Sequence, residues 1–244
     1  MHDWQDTGIV LSARLFGETD VILECLTTDH GRAAGLVKGG ASRKRRADFE
    51  VGNHLSLHWR ARLQDQLGSF AVESLHTPSA HVLDDRAALL ALQYVCTLSR
   101  VLPEREPKAN VYEALAVLTR SLGGEGAWPA LVVRYELGVL ASMGYGLDLS
   151  ECAGGGDDDL AYVSPRTGRA VSRDQGRPYH DKLLPLPPFL LASQIAPTPE
   201  DIEAGFQLSG FFLGRRLYAS VHQPIPDIRH SFLQAWQEKT AASS

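Results

Sequence analysis

The chain is poor in the residues that would make it a disulfide, metal or membrane protein. Its 244 residues hold three cysteines, Cys25, Cys96 and Cys152, and two methionines. An odd number of widely spaced thiols suits reduced cytosolic cysteines better than a disulfide framework. A zinc site needs three or four clustered ligands, and Cys152 stands alone. No apolar run approaches the ~20 residues of a membrane span. The start, Met1-His2-Asp3-Trp4-Gln5-Asp6, is polar and acidic and lacks the basic and apolar regions of a signal peptide. The expected location is therefore the cytoplasm.

Catalytic signatures are also missing. There is no Gly-x-Ser-x-Gly elbow and no His-Glu-x-x-His pair. Gly31 to Lys38 has the glycines of a phosphate loop but lacks the Gly-Lys-Ser/Thr ending, since Lys38 is followed by Gly39-Gly40, which argues against nucleotide hydrolysis. Asp157-Asp158-Asp159 follows three glycines and has no further carboxylates at a usable spacing, so it reads as a solvated turn rather than a cation site. His180 has no base or nucleophile near it in sequence and reads as a surface histidine.

Net positive charge is lacking overall, at −5, yet it is concentrated in one place. From Arg32 to Arg62 the cations are Arg32, Lys38, Arg43, Lys44, Arg45, Arg46, Arg60 and Arg62, against Asp48 and Glu50. Eight cations less two anions give +6, which leaves −11 on the rest of the chain. Such a patch directs a polyanion to one surface and repels it elsewhere. The dense part is Val37-Lys38-Gly39-Gly40-Ala41-Ser42-Arg43-Lys44-Arg45-Arg46, too rich in glycine for a helix. It reads as a flexible cationic loop between two strands, suited to gripping a phosphate backbone. The bland alternative is a solvated loop that binds nothing, since short basic runs are common.

The flanking pattern is β. Strands are expected over Gly8–Arg14, Val21–Leu26, Arg32–Val37, from His54 through Trp59, and Gly68–Leu75, with turns at Phe16–Asp20, Thr28–Gly31 and Arg60–Asp65. Five short strands escape open edges by closing into a barrel, and the oligonucleotide-binding (OB) barrel fits that count. Trp4, Phe16, Phe49, Trp59 and Phe70 are the aromatic residues that could stack bases. Trp59 alternates with Leu55 and Leu57 and reads as core. Phe49, just past the basic loop, is the better stacking candidate, with simple packing as its alternative.

From Thr77-Pro78 the period becomes helical. Helices are expected from there to Pro103, over Ala109–Leu122, over Trp128–Met143, over Thr198–Val221 and over Ile228–Lys239, with Thr240–Ser244 as a frayed tail. The fold class is thus α+β, an OB-type barrel over residues 1–77 and a helical domain over 78–244, interrupted by an irregular turn-rich segment at 147–188.

Several short motifs converge on one resemblance. Trp4-x-x-x-Gly8-Ile9-Val10-Leu11, Gly17-Glu18-Thr19-Asp20, Thr27-x-x-x-Gly31, Lys38-Gly39 before a basic run, and Tyr162-Val163-Ser164-Pro165-Arg166-Thr167-Gly168-Arg169-Ala170-Val171 are similar to the bacterial recombination mediator family RecO. The resemblance covers nearly the whole chain, in the same order of elements. It implies an OB barrel followed by a helical domain, without catalysis or cofactor. It implies binding of single- and double-stranded DNA at the nucleoid, annealing of complementary strands, and partnership with RecR, with the tail of the single-stranded-DNA-binding protein SSB, and indirectly with RecA. Some members carry a four-cysteine zinc module after the third helix. Here only Cys152 stands at such a place, so no zinc is expected.

By the same resemblance SSB offers an acidic tail with an apolar end, which a helical groove with a cation at its rim would suit. Arg134, Arg215 and Arg216 are candidate rim residues, each with ordinary helix charge as its alternative. Two rival classes stay open: an adaptor whose +6 patch meets an acidic protein, and a hydrolase whose site assembles from distant residues.

Overall fold

The computed structural model describes residues 2–63, 66–155, 159–192 and 194–243. Gln64 and Asp65 of the expected turn, Gly156, Asp157 and Asp158 of the glycine–aspartate run, and Ser244 of the expected tail lie outside the described residues. The chain divides into two compact units, Met1–Gly124 with Pro226–Ser244, and Glu125–Ile225.

In the first unit, five strands follow in order: β1 (His2–Phe16), β2 (Asp20–Thr27), β3 (Gly31–Val37), β4 (His54–Ala61) and β5 (Ser69–His76). They pair in the cyclic order β1-β2-β3-β5-β4, with β4 returning to β1. The β3–β5 seam is the narrow one, a single parallel bridge of Leu36 to Ser69. This is the OB-type barrel, its ring of strands closed at the β3–β5 seam by that one bridge. Strand β1 begins six residues before the expected Gly8. Its polar start is held because His2 through Ile9 pair residue by residue with Ala61 through His54. A register shift between Val10 and Ser12 then lets β1 turn from β4 to β2.

The barrel is filled by alternating inward side chains, as the period of two requires. Val10, Leu23, Val37, Phe49, Leu55, Leu57, Trp59 and Phe70 form the core, and Trp4 packs against it. The turn into β3 depends on Gly31. Its φ is +66°, and a Cβ there would lie 2.4 Å from the carbonyl oxygen of Glu106. That oxygen belongs to a segment laid along β3, where Arg105 N donates to Arg32 O at 2.9 Å.

Helices α1 (Pro78–His81), α2 (Arg86–Ser99) and α3 (Ala109–Ser121) follow. The expected first helix is split because Asp85 caps α2, its side chain accepting from Ala88 N at 3.1 Å. The C-terminal helix of the chain, Asp227–Ser243, packs on α2 with Tyr94 and Phe232 stacked at 6.1 Å. Ion pairs Lys239–Asp85 (2.7 Å) and Arg86–Glu238 (3.1 Å) flank that contact. They explain why residues 240–243, expected as a frayed tail, continue the helix.

The second unit opens with α4 (Trp128–Ser142), which starts with Pro129 in its first turn, where no N–H is needed. The segment read as irregular carries regular structure: β6 (Asp148–Cys152), β7 (Leu160–Val163), β8 (Arg169–Ser172), α5 (Arg173–Gly176), and β9 (Leu184–Pro185). The strands form one small sheet in the order β6-β8-β7-β9. Cys152, Val163 and Ala170 are its buried residues. Helix α6 (Pro199–Phe212) begins with a capping box of Thr198 and Asp201 and runs on into a π-helical stretch, Leu213–Tyr218. The chain's last helix, in the first unit, is α7. Glu136 of α4 is fully buried and accepts a hydrogen bond from Ser209 Oγ of α6.

Candidate nucleic-acid interface

The cationic loop leaves β3 at Val37 and is hydrogen-bonded to the β1–β2 turn. Gly39, at φ +64°, donates its N–H to Asp20 Oδ1 at 2.9 Å. Ala41 N donates to Thr19 O at 2.9 Å. Arg45 N and Arg46 N both donate to Ser42 O at 3.0 Å, and a 3₁₀ turn, Arg46–Phe49, follows. Asn53 Nδ2 holds the end of the turn through Ala47 O at 2.9 Å. The glycines let the loop lie close to β2: a Cβ on Gly40 would sit 3.1 Å from Val21 Cβ and 3.2 Å from the Phe49 ring.

Phe49 is the anchor of this turn. It is 4% exposed and belongs to the barrel core, so it presents no ring face to a nucleobase. Arg45 lies over its ring at 5.3 Å and is half-buried, with Nη1 donating to Lys38 O at 3.4 Å. Lys38, Arg43, Lys44 and Arg46 are exposed. Among the described residues none of these four has an acidic partner within ion-pair distance. Arg46 also lines a cleft of about 360 Å³ together with Arg14 and Leu15 of β1 and two carboxylates, Glu18 and Glu50. Arg14 is exposed and was missed in sequence, being an isolated cation 24 residues before Lys38.

The other members of the cationic set are placed differently. Arg60 is exposed, its Nε donating to His58 Nε2 at 3.1 Å. Strand pairing links it through Ser69 to Leu36, two residues before Lys38. Arg62, exposed, follows the end of β4. Arg32 is turned to structural use. It pairs with Glu24 and, at 3.4 Å, with Glu104, and its Nε donates to Leu102 O at 2.8 Å. Arg100 Nε reaches the other oxygen of Glu24 at 2.9 Å, and Ser12 Oγ donates to it at 3.0 Å. Burial pushes the Glu24 carboxyl up. The Arg32 hydrogen bond, the Arg100 charge and the Ser12 hydroxyl outweigh it and hold the group below its ordinary value.

A second feature of this unit is a groove of about 540 Å³ along β5 and α3. Leu75 and Val117, both more than half exposed, give it apolar walls, and His76, Arg120 and Glu113 are charged or polar residues that also line it. In the other unit, Arg134 is half-buried. Its Nη2 donates to Phe189 O at 2.5 Å and its guanidinium faces the Phe189 ring. Arg216 donates to Thr167 O at 2.8 Å and lies 4.6 Å over Phe212. Both therefore brace their own unit. Arg215 is exposed, beside Phe211 at 5.7 Å. Among the described residues no group of three or more His, Cys, Asp or Glu is placed to hold a metal ion, and no helix is long and apolar enough to cross a membrane.

A small barrel that carries a hydrogen-bonded loop of exposed cations defines the class: an OB-type barrel protein with a helical extension. Family models sharpen this. "Recombination protein O N terminal" matches residues 1–78 and "Recombination protein O C terminal" matches residues 83–223. The chain belongs to the Recombination protein O family. Similar proteins include the "DNA repair protein RecO" of Hyphomonas neptunium, 48% identical over 95% of this chain and 97% of the relative. Those of Methylocella silvestris (43%, 99% of both chains) and Caulobacter vibrioides strain NA1000 / CB15N (45%, 93% and 94%) bear the same name.

Proposed function

We propose that this chain is a non-catalytic mediator of DNA repair and recombination, working in the cytoplasm at the nucleoid. It binds single- and double-stranded DNA without sequence preference, anneals complementary strands and, with RecR, helps load RecA onto DNA coated with SSB. Family membership supports the repair role. The observation that carries the DNA contact is the set of exposed cations, without an acidic partner among the described residues, on a loop hydrogen-bonded to the barrel. Lys38, Arg43, Lys44 and Arg46 meet phosphates, with Arg60 and Arg62 extending the track. Arg32 and Arg45 hold the scaffold, and Phe49 packs beneath it.

Annealing on such a surface needs no bond chemistry. The cations screen the repulsion of two strands and raise their local concentration. The SSB tail, acidic with an apolar end, is seated in the β5–α3 groove, where Leu75 and Val117 take the apolar end and Arg120 the acidic part. Exposed Arg215 is the second rim candidate.

The test is anisotropy of labelled single-stranded DNA across a salt series. About five neutralised phosphates give a log–log slope of roughly −3 to −4. A flat response would reject DNA as the ligand of the loop, and would favour an adaptor whose cations meet an acidic protein.

A further inference from the structure

We infer that the cavity beside the β2–β3 turn, walled by Trp4, His30 and Trp59 and carrying Asp3 and Asp29, is a docking pocket for an arginine side chain presented by a protein partner. Nothing in it depends on DNA binding. Asp29 and His30 lie just before the first residue of β3, whereas the cationic loop leaves after its last, Val37. Seven strand residues put the two ends about 20 Å apart.

The cavity follows from the strand ladder. β1 pairs with β4 from His2 onward but with β2 only from Gly8. Trp4 therefore stands beyond the end of β2, and the turn that follows β2 covers it. His30 stacks on Trp4 at 4.1 Å with the rings 8° apart, and Trp59 lies 5.6 Å from Trp4. β3 meets β5 only at Leu36, which leaves Ala33 and Ala34 facing the space rather than a strand. About 320 Å³ remains between them. That is the low end for a ligand pocket, with room for one side chain rather than a peptide segment. Arg105 completes the wall. Its φ is +59°, its N donates to Arg32 O at 2.9 Å and its Nη2 to Gln66 O at 3.1 Å.

The polar groups of the lining are mostly acceptors. Asp6, with a side chain 3% exposed, lies 2.8 Å from His30 Nδ1. It also accepts from Thr7 N at 2.7 Å and Asp29 N at 2.9 Å. Burial pushes its carboxyl up, but these bonds outweigh it and hold the group below its ordinary value. An ionised carboxylate only accepts, so His30 Nδ1 carries a proton and Nε2 of the neutral ring is an acceptor. Asp3 and Asp29 add two exposed carboxylates against the single guanidinium of Arg105, and His2 is the remaining polar residue. The lining is thus net negative.

That chemistry selects the occupant. A phosphate would meet Asp3 and Asp29 and be repelled. A guanidinium brings five N–H donors to the carboxylates and to Nε2, and a flat face to aromatic walls. It also leaves water more readily than an ammonium does, which favours arginine over lysine. Arginine is a common anchor at the centre of protein interfaces. A partner seated here leaves the cationic loop open to a polyanion.

The experiment uses the ¹⁵N-labelled full-length chain and three capped tripeptides, acetyl-Gly-X-Gly-amide with X arginine, lysine or citrulline. The chain has four tryptophans, so the indole N–H resonances report by position once each is assigned by a Trp→Phe variant. The arginine peptide should move the Trp4 and Trp59 signals saturably and leave Trp128 and Trp236 still. Lysine should bind more weakly, and citrulline, equal in shape but neutral, should not bind. Asp29→Asn should weaken the arginine peptide about fivefold. The backbone N–H of Asp29, not its carboxylate, holds the turn, so melting should be unchanged. Asp3→Asn, a second exposed site, should act in the same direction. An equal response to citrulline, equal movement of all four indoles, or no saturable shift would overturn the pocket. So would unaltered binding in both Asp variants. Oligo-dT that moves the Trp4 signal and displaces the arginine peptide would overturn it in favour of a nucleobase.

Discussion

Removing the loop's charges should cost affinity by an amount that the side-chain geometry sets. A variant with all four of Arg43, Lys44, Arg45 and Arg46 changed would mix two effects, because Arg45 lies over the buried Phe49 ring. The informative variant is Arg43→Ala/Lys44→Ala/Arg46→Ala, which removes only exposed cations without an acidic partner. On a single strand each neutralised phosphate contributes about 0.7 to the log–log salt slope. Three contacts therefore make the slope shallower by about 2. Referred to a 1 M standard, the same three contacts at 0.1 M salt are worth about 2 log units, roughly a hundredfold in Kd. The loss should shrink to about fivefold to tenfold near 0.4 M, since the term scales with the logarithm of salt. Anisotropy on oligo-dT between 0.05 and 0.5 M salt reads both quantities, and melting should be unchanged. A hundredfold loss with an unaltered slope would refute the reasoning, since it would mean the side chains act through loop structure and not through charge. Arg45→Ala supplies the contrast: a small change in slope, with a loss of stability of about 1 kcal/mol from the cation–π contact.

Other outcomes follow from the barrel itself. Gly31→Ala should destabilise the first unit by about 2 kcal/mol or more in denaturant unfolding, because a left-handed φ and a carbonyl 2.4 Å from the new Cβ act together. Glu24→Gln should cost about 2–3 kcal/mol, since it leaves Arg32, only 18% exposed, facing a neutral amide. The Glu24 carboxyl is held below its ordinary value, so its stabilisation is present above pH 4.5 and fades as pH falls through the lowered folded value. The variant should lack that acid-side slope. His54 acts in the same direction, in a higher pH window. Burial first, then the charges of Arg120 and His76, lower it from 6.5 to about 4. The unfolded chain takes up that proton more readily, so stability should fall as pH drops from 6.5 towards 4. The loss is at most about 3 kcal/mol at 1.36 kcal/mol per unit. His54→Gln should flatten urea-unfolding stability across that window relative to the wild type. It leaves Thr119 Oγ1 its bond to Ala116 O at 3.3 Å.

The barrel was legible because its strands alternate. Leu55, Leu57 and Trp59 face inward as their spacing requires, and all three are buried. What stayed hidden is what depends on a partner far away in sequence. The first residues of β1 are polar, and only pairing with β4 makes them a strand. The small sheet of the second unit uses strands of two to five residues set among glycine, aspartate and proline, too short for a period to show. Arg32 looked like one more cation of the patch. Its partners Glu104 and Arg100, reached directly or through Glu24, lie about 70 residues on and turn it into a brace.

The same logic separates the two aromatic candidates. Sequence nearness favoured Phe49, three residues past Arg46, but a residue that closes a turn onto a barrel end is the one most readily drawn inside. Phe16 stands 22 residues before Lys38. A hairpin of two paired strands carries it back to the loop, and with its backbone already paired to Asp20 its ring is left outside. In a closed barrel the core is filled by the inward positions of the strands, whereas strand ends and hairpin tips project beyond it. Composition thus located the charge. Which ring is buried and which stays exposed is decided by packing, while the ladder and its hydrogen bonds bring the β1–β2 tip to the start of the cationic loop.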